Sequence, residues 1–426
     1  MSRNIVNALP ELVAQGVLSE AAAAAVKEYY ETKERQQPQR INLVFAIIGA
    51  TLVGLGIILM LAHNWDSLPH TLKVAFSFLP LLLGQLLCGY TLLKKASNIS
   101  WRESCATFLF FAVGASIALV AQVYHIPGDL ASLLLSWMLL CLPVIYLMDS
   151  SITSLLYLVG ITAFAINDGY GYRADDSYKY WWMLLLVMPH YAWLIRKKTG
   201  SNFTIFHHWF VLASLTICLG TLASNEAILM PVAYMALFAV FYIAGTTTSI
   251  NKQRLLANPF LMLGSLGTMV LLLMFSFKGV WQQFNFVQDD IATPEILVTI
   301  MIFLVACWLL LRHLRKRQVN GINPMAFGFI VFAIVYFIGF HSSITGVALM
   351  NLLVLAAAIF TIYRGEQRNH LGILNYGLLI IALLVICRFF DTDLSFVIRG
   401  LLFVAVGAGF FIANNRLAKK RRKHVS

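Results

Sequence analysis

The chain has 426 residues, of which 60% are hydrophobic and only 12% charged. Soluble domains run near half apolar and a quarter charged, so the main body of this chain is built for lipid rather than water. The net charge of +12 would suit nucleic acid in a soluble protein, but here the basic residues stand in short runs at the ends of apolar segments, outside any nucleic-acid module, and nucleic acid is not an expected partner.

Residues 1–41 form the one sizeable polar stretch. A first short helix is predicted from about Arg3 to Gln15 and stopped by Gly16. Ser19 then caps a second helix through the alanine run 21–25 to about Gln36, before Pro38. The pair is expected to make a cytoplasmic helical hairpin, too short for a core of its own and suited to dock on a protein partner. The first apolar run opens near Leu43, too far from the N-terminus for a cleavable signal, so that helix is expected to act as an uncleaved one.

Apolar runs then follow at about 43–61, 72–93, 106–124, 130–148, 151–167, 180–195, 205–224, 228–246, 258–277, 295–312, 325–341, 344–363, 371–388 and 395–413. Most approach the roughly 20 residues that span a bilayer, and backbone groups in lipid must be satisfied within the segment, so each is expected to be a helix. The fold class that follows is an all-α polytopic membrane helix bundle over 42–413, with about fourteen transmembrane helices. The fifth and sixth runs are short, which leaves thirteen or fifteen open. A basic tail, 414–426, ends the chain.

Charge placement tests that count. With the amino terminus inside, all but six of the 31 basic residues fall on inner segments, the exceptions being Lys73, Arg173, Lys179, Lys278, Arg388 and Arg399. The bias favours an even number of helices with both termini cytoplasmic. Trp65, Trp181, Trp182 and Trp281 fall at outer boundaries and Trp101 and Trp193 at inner ones, as expected of interfacial anchors. Pro80, Pro143 and Pro189 fall inside predicted helices and are expected to kink them.

Cys88, Cys105, Cys141, Cys218, Cys307 and Cys387 are all in or beside apolar runs, with no Cys-x-x-Cys pair, so they read as small packing residues rather than metal ligands. No charge falls at mid-bilayer depth; Asp149, Glu226 and Arg388 lie at helix ends. No cofactor is expected, and no enzymatic role is favoured. Small residues four apart (Ala46, Ala50, Gly54) mark a close helix-packing face in the first run.

The polar residues that could form a site cluster at outer ends. They are His63, Asn64, Trp65 and Asp66 after the first run; Gln122, His125 and Asp129 after the third; and Arg388, Asp391 and Arg399 around the thirteenth and fourteenth. A His, an Asp and an Arg from three hairpins could converge on one outward-facing cavity, where Arg388 would hold an anionic group or pair with Asp66. Helix capping and loop positioning are the commoner use of such residues. The expected function is carriage of an amphipathic or anionic ligand across the bilayer. The alternative is a non-catalytic scaffold that binds a cytoplasmic partner through the amino-terminal hairpin. An enzyme at the outer face would rest on His63, Asp66, His125 and Asp129 alone.

At these residues the chain resembles a bacterial family of polytopic membrane proteins, the domain of unknown function 2157. The resemblance rests on the hairpin, on Ala62 to Asp66 (Ala-x-Asn-Trp-Asp), on Ala121 to His125 (Ala-Gln-x-Tyr-His) with Trp137 and Pro143 following, and on Arg388 to Asp391 (Arg-Phe-Phe-Asp). It implies a bacterial inner membrane and carries no substrate, reaction or cofactor.

Overall fold

A computed structural model describes residues 9–36, 65, 67–170, 178–198, 200–223, 227–247, 257–283, 293–316, 324–368, 370–391 and single positions between 397 and 411. The chain divides into two compact units, 1–76 and 77–426.

In the first unit a short helix over 9–14 ends at Gly16, whose φ of +72° lies in the left-handed region that glycine enters without penalty. The Ser19 hydroxyl then accepts from the Ala22 amide and opens α1, Glu20–Gln36.

The second unit is entirely helical among its described residues. Its helices are α2 (His70–Lys94, begun in the first unit), α3 (Ile99–Val123), α4 (Leu130–Met148), α5 (Ser151–Gly169), α6 (Tyr178–Lys197) and α7 (Asn202–Leu219). There follow α8 (Met230–Thr247), α9 (Pro259–Met274), the short α10 (Lys278–Gln283), α11 (Thr293–Lys316), α12 (Gly328–His341), α13 (Ser343–Gln367) and α14 (Leu371–Asp391). Twelve of the fourteen apolar runs thus coincide with a helix; the runs 43–61 and most of 395–413, with the Ala46–Gly54 face, lie outside the described residues. Among the described residues eight helices are long and apolar enough to cross a membrane, and three shorter apolar ones accompany them. Pro80, Pro143 and Pro189 lie inside α2, α4 and α6.

Successive spanning helices alternate in direction, so their connections collect at two ends. One end gathers Lys94, Lys95, Arg102, Arg196 to Lys198, Arg312, Arg315, Arg364 and Arg368, and is called here the basic end. Two hydrophobic cores lie side by side between the ends. The amino-terminal core joins α2 to α7 around Tyr157, Ile161 and Tyr180, and α5 is its hub, packed against α3, α4, α6 and α7. The carboxy-terminal core joins α8 to α14 around Ala236, Phe332 and Tyr336, with α8 its hub. They meet on α7, where Cys218 serves the first core and Leu219 the second. All six cysteines are free; four are buried and two half-buried, which is the packing role expected of them.

Both hubs begin the same way. The first amides of a helix have no partner within it. At α5 the Glu103 carboxylate of α3 accepts from the Ser151 and Ile152 amides, both at 2.9 Å, and from the Ser150 hydroxyl. At α8 the Glu295 carboxylate of α11 accepts from the Leu229 and Met230 amides at 2.6 and 3.0 Å. Each glutamate is buried on a helix parallel to the one it caps, where its charge also suits the positive end of the dipole. The Glu103 cap is at the basic end and the Glu295 cap at the opposite one.

Candidate functional site

The residues singled out in the sequence are placed as follows. His63, Asn64, Asp66 and Arg399 lie outside the described residues, as does the side chain of Asp391, the last residue of α14; Trp65 is half-buried in the first unit. Gln122, His125 and Asp129 come together on the exposed turn between α3 and α4. His125 adopts φ +49° and the Ile126 amide returns to the Ala121 carbonyl, so the turn closes α3 in the left-handed geometry of a helix end. Asp129 caps α4, its Oδ1 accepting from the Ser132 amide at 2.7 Å. Hydrogen bonds from the Ser132 hydroxyl and then its amide hold the Asp129 carboxyl below the usual carboxylate range.

Arg388 belongs to a separate assembly in the carboxy-terminal core, at the end away from the basic residues. Its Nη2 donates to the Ser276 carbonyl at 2.5 Å and to the Ser276 hydroxyl, while its guanidinium lies 5.4 Å from the centre of the Phe277 ring. Asn351 donates to the same carbonyl. Beside it the Trp281 indole donates to the Phe275 carbonyl at 2.9 Å and enters a slot whose floor is Gly339 and Gly346; a methyl group at Gly339 would overlap the ring. Phe275 and Tyr336 pack around it. Trp281 is only 6% exposed. The boundary position that suggested an interfacial anchor in fact sets a plug, because α10 turns the side chain inward over two helices stripped of side-chain bulk. Among the described residues no hydrogen bond or ion pair links Arg388 with Gln122, His125 or Asp129.

The basic ends of the two cores differ. In the amino-terminal core the basic end carries a network of polar side chains. Arg102 pairs with Asp149 at 3.0 Å beside the Glu103 cap, so adjacent residues of α3 grip the turn between α4 and α5. Deeper, His207 lies 3.1 Å from the Ser154 hydroxyl, Tyr191 is hydrogen-bonded to His208, and His190 stacks on Trp193; all three histidines are buried.

In the carboxy-terminal core the corresponding space is hollow, a cavity of about 330 Å³. The last turns of α8 and the first of α9 form one wall, held close where Gly264 meets the α8 backbone at Tyr242. The α13/α14 hairpin forms the other, drawn together at Gly365 against Leu374. The Tyr376 hydroxyl bridges the two by donating to the Ser265 carbonyl at 3.2 Å. His313 of α11 and Met325, before α12, complete the lining. Arg364, in the last turn of α13, and Arg368, which caps that helix four residues on, bring positive charge to it. None of these residues stands out in the sequence as a site. A basic residue at a helix end contributes equally to topology whether it faces water or a cavity, and the one available signal is the i, i+4 spacing of the two arginines.

A chain of this hydropathy, helical without strands among its described residues and with one end enriched in cations, is a membrane bundle, and comparison agrees. Residues 10–154 match the family described as Predicted membrane protein (DUF2157). The match takes in the hairpin, Ala62 to Asp66, Ala121 to His125, Trp137 and Pro143, and stops before Arg388 to Asp391 and before the whole carboxy-terminal core. No curated protein and no solved structure matches the chain.

Proposed function

We propose that this protein is a non-enzymatic carrier of an amphipathic or anionic ligand, set in a bacterial inner membrane with both termini and the basic end on the cytoplasmic side. One observation carries the reading. The carboxy-terminal core holds a cavity at its basic end, while at its other end Trp281 is packed into a glycine slot and Arg388 is tied to Ser276. A carrier needs a cavity reached from one side and closed toward the other in each of its two states, and a cavity at one end of a core packed tightly at the other supports that reading. The positive-inside rule supports the orientation. The site in this reading is therefore the basic-end cavity rather than a cluster at the outer ends.

Labelling from each side tests the proposal. Ser265→Cys places one thiol in the cavity of a chain whose six cysteines are replaced by alanine. A carrier exposes that thiol to a membrane-impermeant maleimide from both sides, faster from the basic side. A fixed bundle admits label from the basic side alone, and that result would remove the proposal in favour of a scaffold.

A further inference from the structure

The basic-end cavity lies between two hairpins that are each tight within themselves. Gly264 meets the α8 backbone at Tyr242, and Gly245 meets that of α9 at Leu261. Gly365 and Gly377 draw α13 and α14 together in the same way, against Leu374 and Ile362. The seam between the hairpins, from α9 to α14, is bridged instead by a side chain, the Tyr376 hydroxyl on the Ser265 carbonyl at 3.2 Å. Leu266 stands at that seam. It lines the cavity, is 44% exposed, and begins an exposed apolar stripe that continues along α9 through Val270 and Met274. In a membrane bundle such a stripe faces hydrocarbon. Leu266 is about 10 Å along the axis from the first residue of α9, so the cavity reaches the lipid face within the span as well as at its basic mouth.

The polar groups of the lining are already engaged. Thr361 donates to the Ala357 carbonyl, Thr246 to that of Ile243 and Ser265 to that of Met262. Arg364 lies over the Phe360 ring at 5.2 Å and, like His313, has a further interaction. What the lining offers without a competing partner is apolar surface, from Leu261, Met262, Phe360 and Ile373. A sugar or nucleobase would bury its polar groups against partners already taken. Left empty, about 330 Å³ would cost the lining its packing contacts, and water there would find few partners. A hydrocarbon chain from the bilayer meets neither cost. Its transfer from lipid is close to neutral, and it restores the packing.

We infer that the cavity receives the hydrocarbon chain of a membrane amphiphile, which enters sideways through the α9–α14 seam and leaves its head at the basic mouth. Arg312 lies 5.4 Å from the Trp308 ring centre beside His313, an aromatic–cation pair of the kind found at headgroup level. The inference rests on the carrier reading for its site and names a chain-bearing ligand for it, so its test keeps the two apart. The full chain is reconstituted in nanodiscs of phosphatidylcholine that carries a diazirine near the end of one acyl chain. After illumination the modified residues are mapped by mass spectrometry. Met262 and Met325 inside the cavity are expected to be modified, as is Leu304 of α11, which is 62% exposed and faces lipid. Leu266→Trp fills the seam from α9 and should cut modification in the cavity about fivefold or more, with Leu304 within about twofold. Ile373→Trp fills it from the opposite wall and should do the same, so the test stands if one variant fails to fold. Modification at Leu304 with none in the cavity would overturn the inference. Cavity modification unchanged in both folded variants would overturn entry through the seam. Two-sided labelling of Ser265→Cys without a chain in the cavity leaves a carrier of a dissolved ligand and overturns the inference. A chain in the cavity with one-sided labelling keeps the inference and removes the carrier.

Discussion

The two cores are built alike and finished differently. Each turns on a hub helix whose first amides are capped by a buried glutamate from a parallel neighbour, Glu103 for α5 and Glu295 for α8. In the amino-terminal core that cap, the Arg102–Asp149 pair and the buried histidines all crowd the basic end. In the carboxy-terminal core the cap lies at the opposite end, together with Trp281, Ser276 and Arg388, and the basic end stays hollow. Buried polar groups hold helix ends rigidly because leaving them unpaired is costly, so each core is tied where its network lies. The amino-terminal core is tied at the basic end, and the carboxy-terminal core, tied at the other, holds its cavity there.

The largest effect expected from breaking that contrast is at Trp281. Trp281→Ala empties the slot over Gly339 and Gly346 and should lower the stability of the carboxy-terminal core by ~3–5 kcal/mol, the usual cost of deleting a buried aromatic. It should also raise labelling of Ser265→Cys from the opposite side. Lost stability without that second change would mean that Trp281 fills space and closes nothing. Glu103→Leu is the counterpart in the other core. Two amides and a hydroxyl would lose their acceptor, a destabilisation of about 3 kcal/mol on the usual cost of unmade buried hydrogen bonds. Labelling of Ser265→Cys should be unchanged, since the cavity belongs to the other core. A matching change in labelling would show that the cores are not independent. Arg388→Ala removes the tie to Ser276 and should cost about 1–2 kcal/mol in thermal unfolding, less than either change above because the Asn351 bond to the same carbonyl remains.

The distance between sequence and structure follows the same division. Hydropathy predicted twelve helices closely, down to α4 over Leu130–Met148, because lipid selects for the transfer energy of a whole segment. Gly16 and Ser19 were legible as helix punctuation, each having a local mechanism. Glu103 and Glu295 were not, because each sits in the first turns of a helix and reads as an end residue near water, while the amides it caps are 48 and 65 positions away. The cavity was hidden for a related reason: its walls are two hairpins, each drawn together by a glycine contact, and Arg364 and Arg368 look like any other topological charge. Trp281 shows the converse error, an aromatic at the expected boundary that points inward.

The smallest effect concerns the exposed turn between α3 and α4, where the sequence pointed to a site and the structure shows helix ends being closed. The Asp129 carboxyl, held below its ordinary range by Ser132, favours the folded state wherever it is ionised. The folded form therefore binds its proton less readily than the unfolded one. That contribution is fully present above the ordinary carboxylate value, about 3.9, and is lost as pH falls through the lower folded value. Asn caps a helix about as well as Asp but carries no charge toward the helix dipole. Asp129→Asn should thus melt slightly below wild type at neutral pH, and the gap should close as the solution is acidified toward pH 3. A gap independent of pH would mean that the turn is held by shape alone. A change in Ser265→Cys labelling in Asp129→Asn would reach further, because it would tie the outer turn to the basic-end cavity and show that the two cores are not independent.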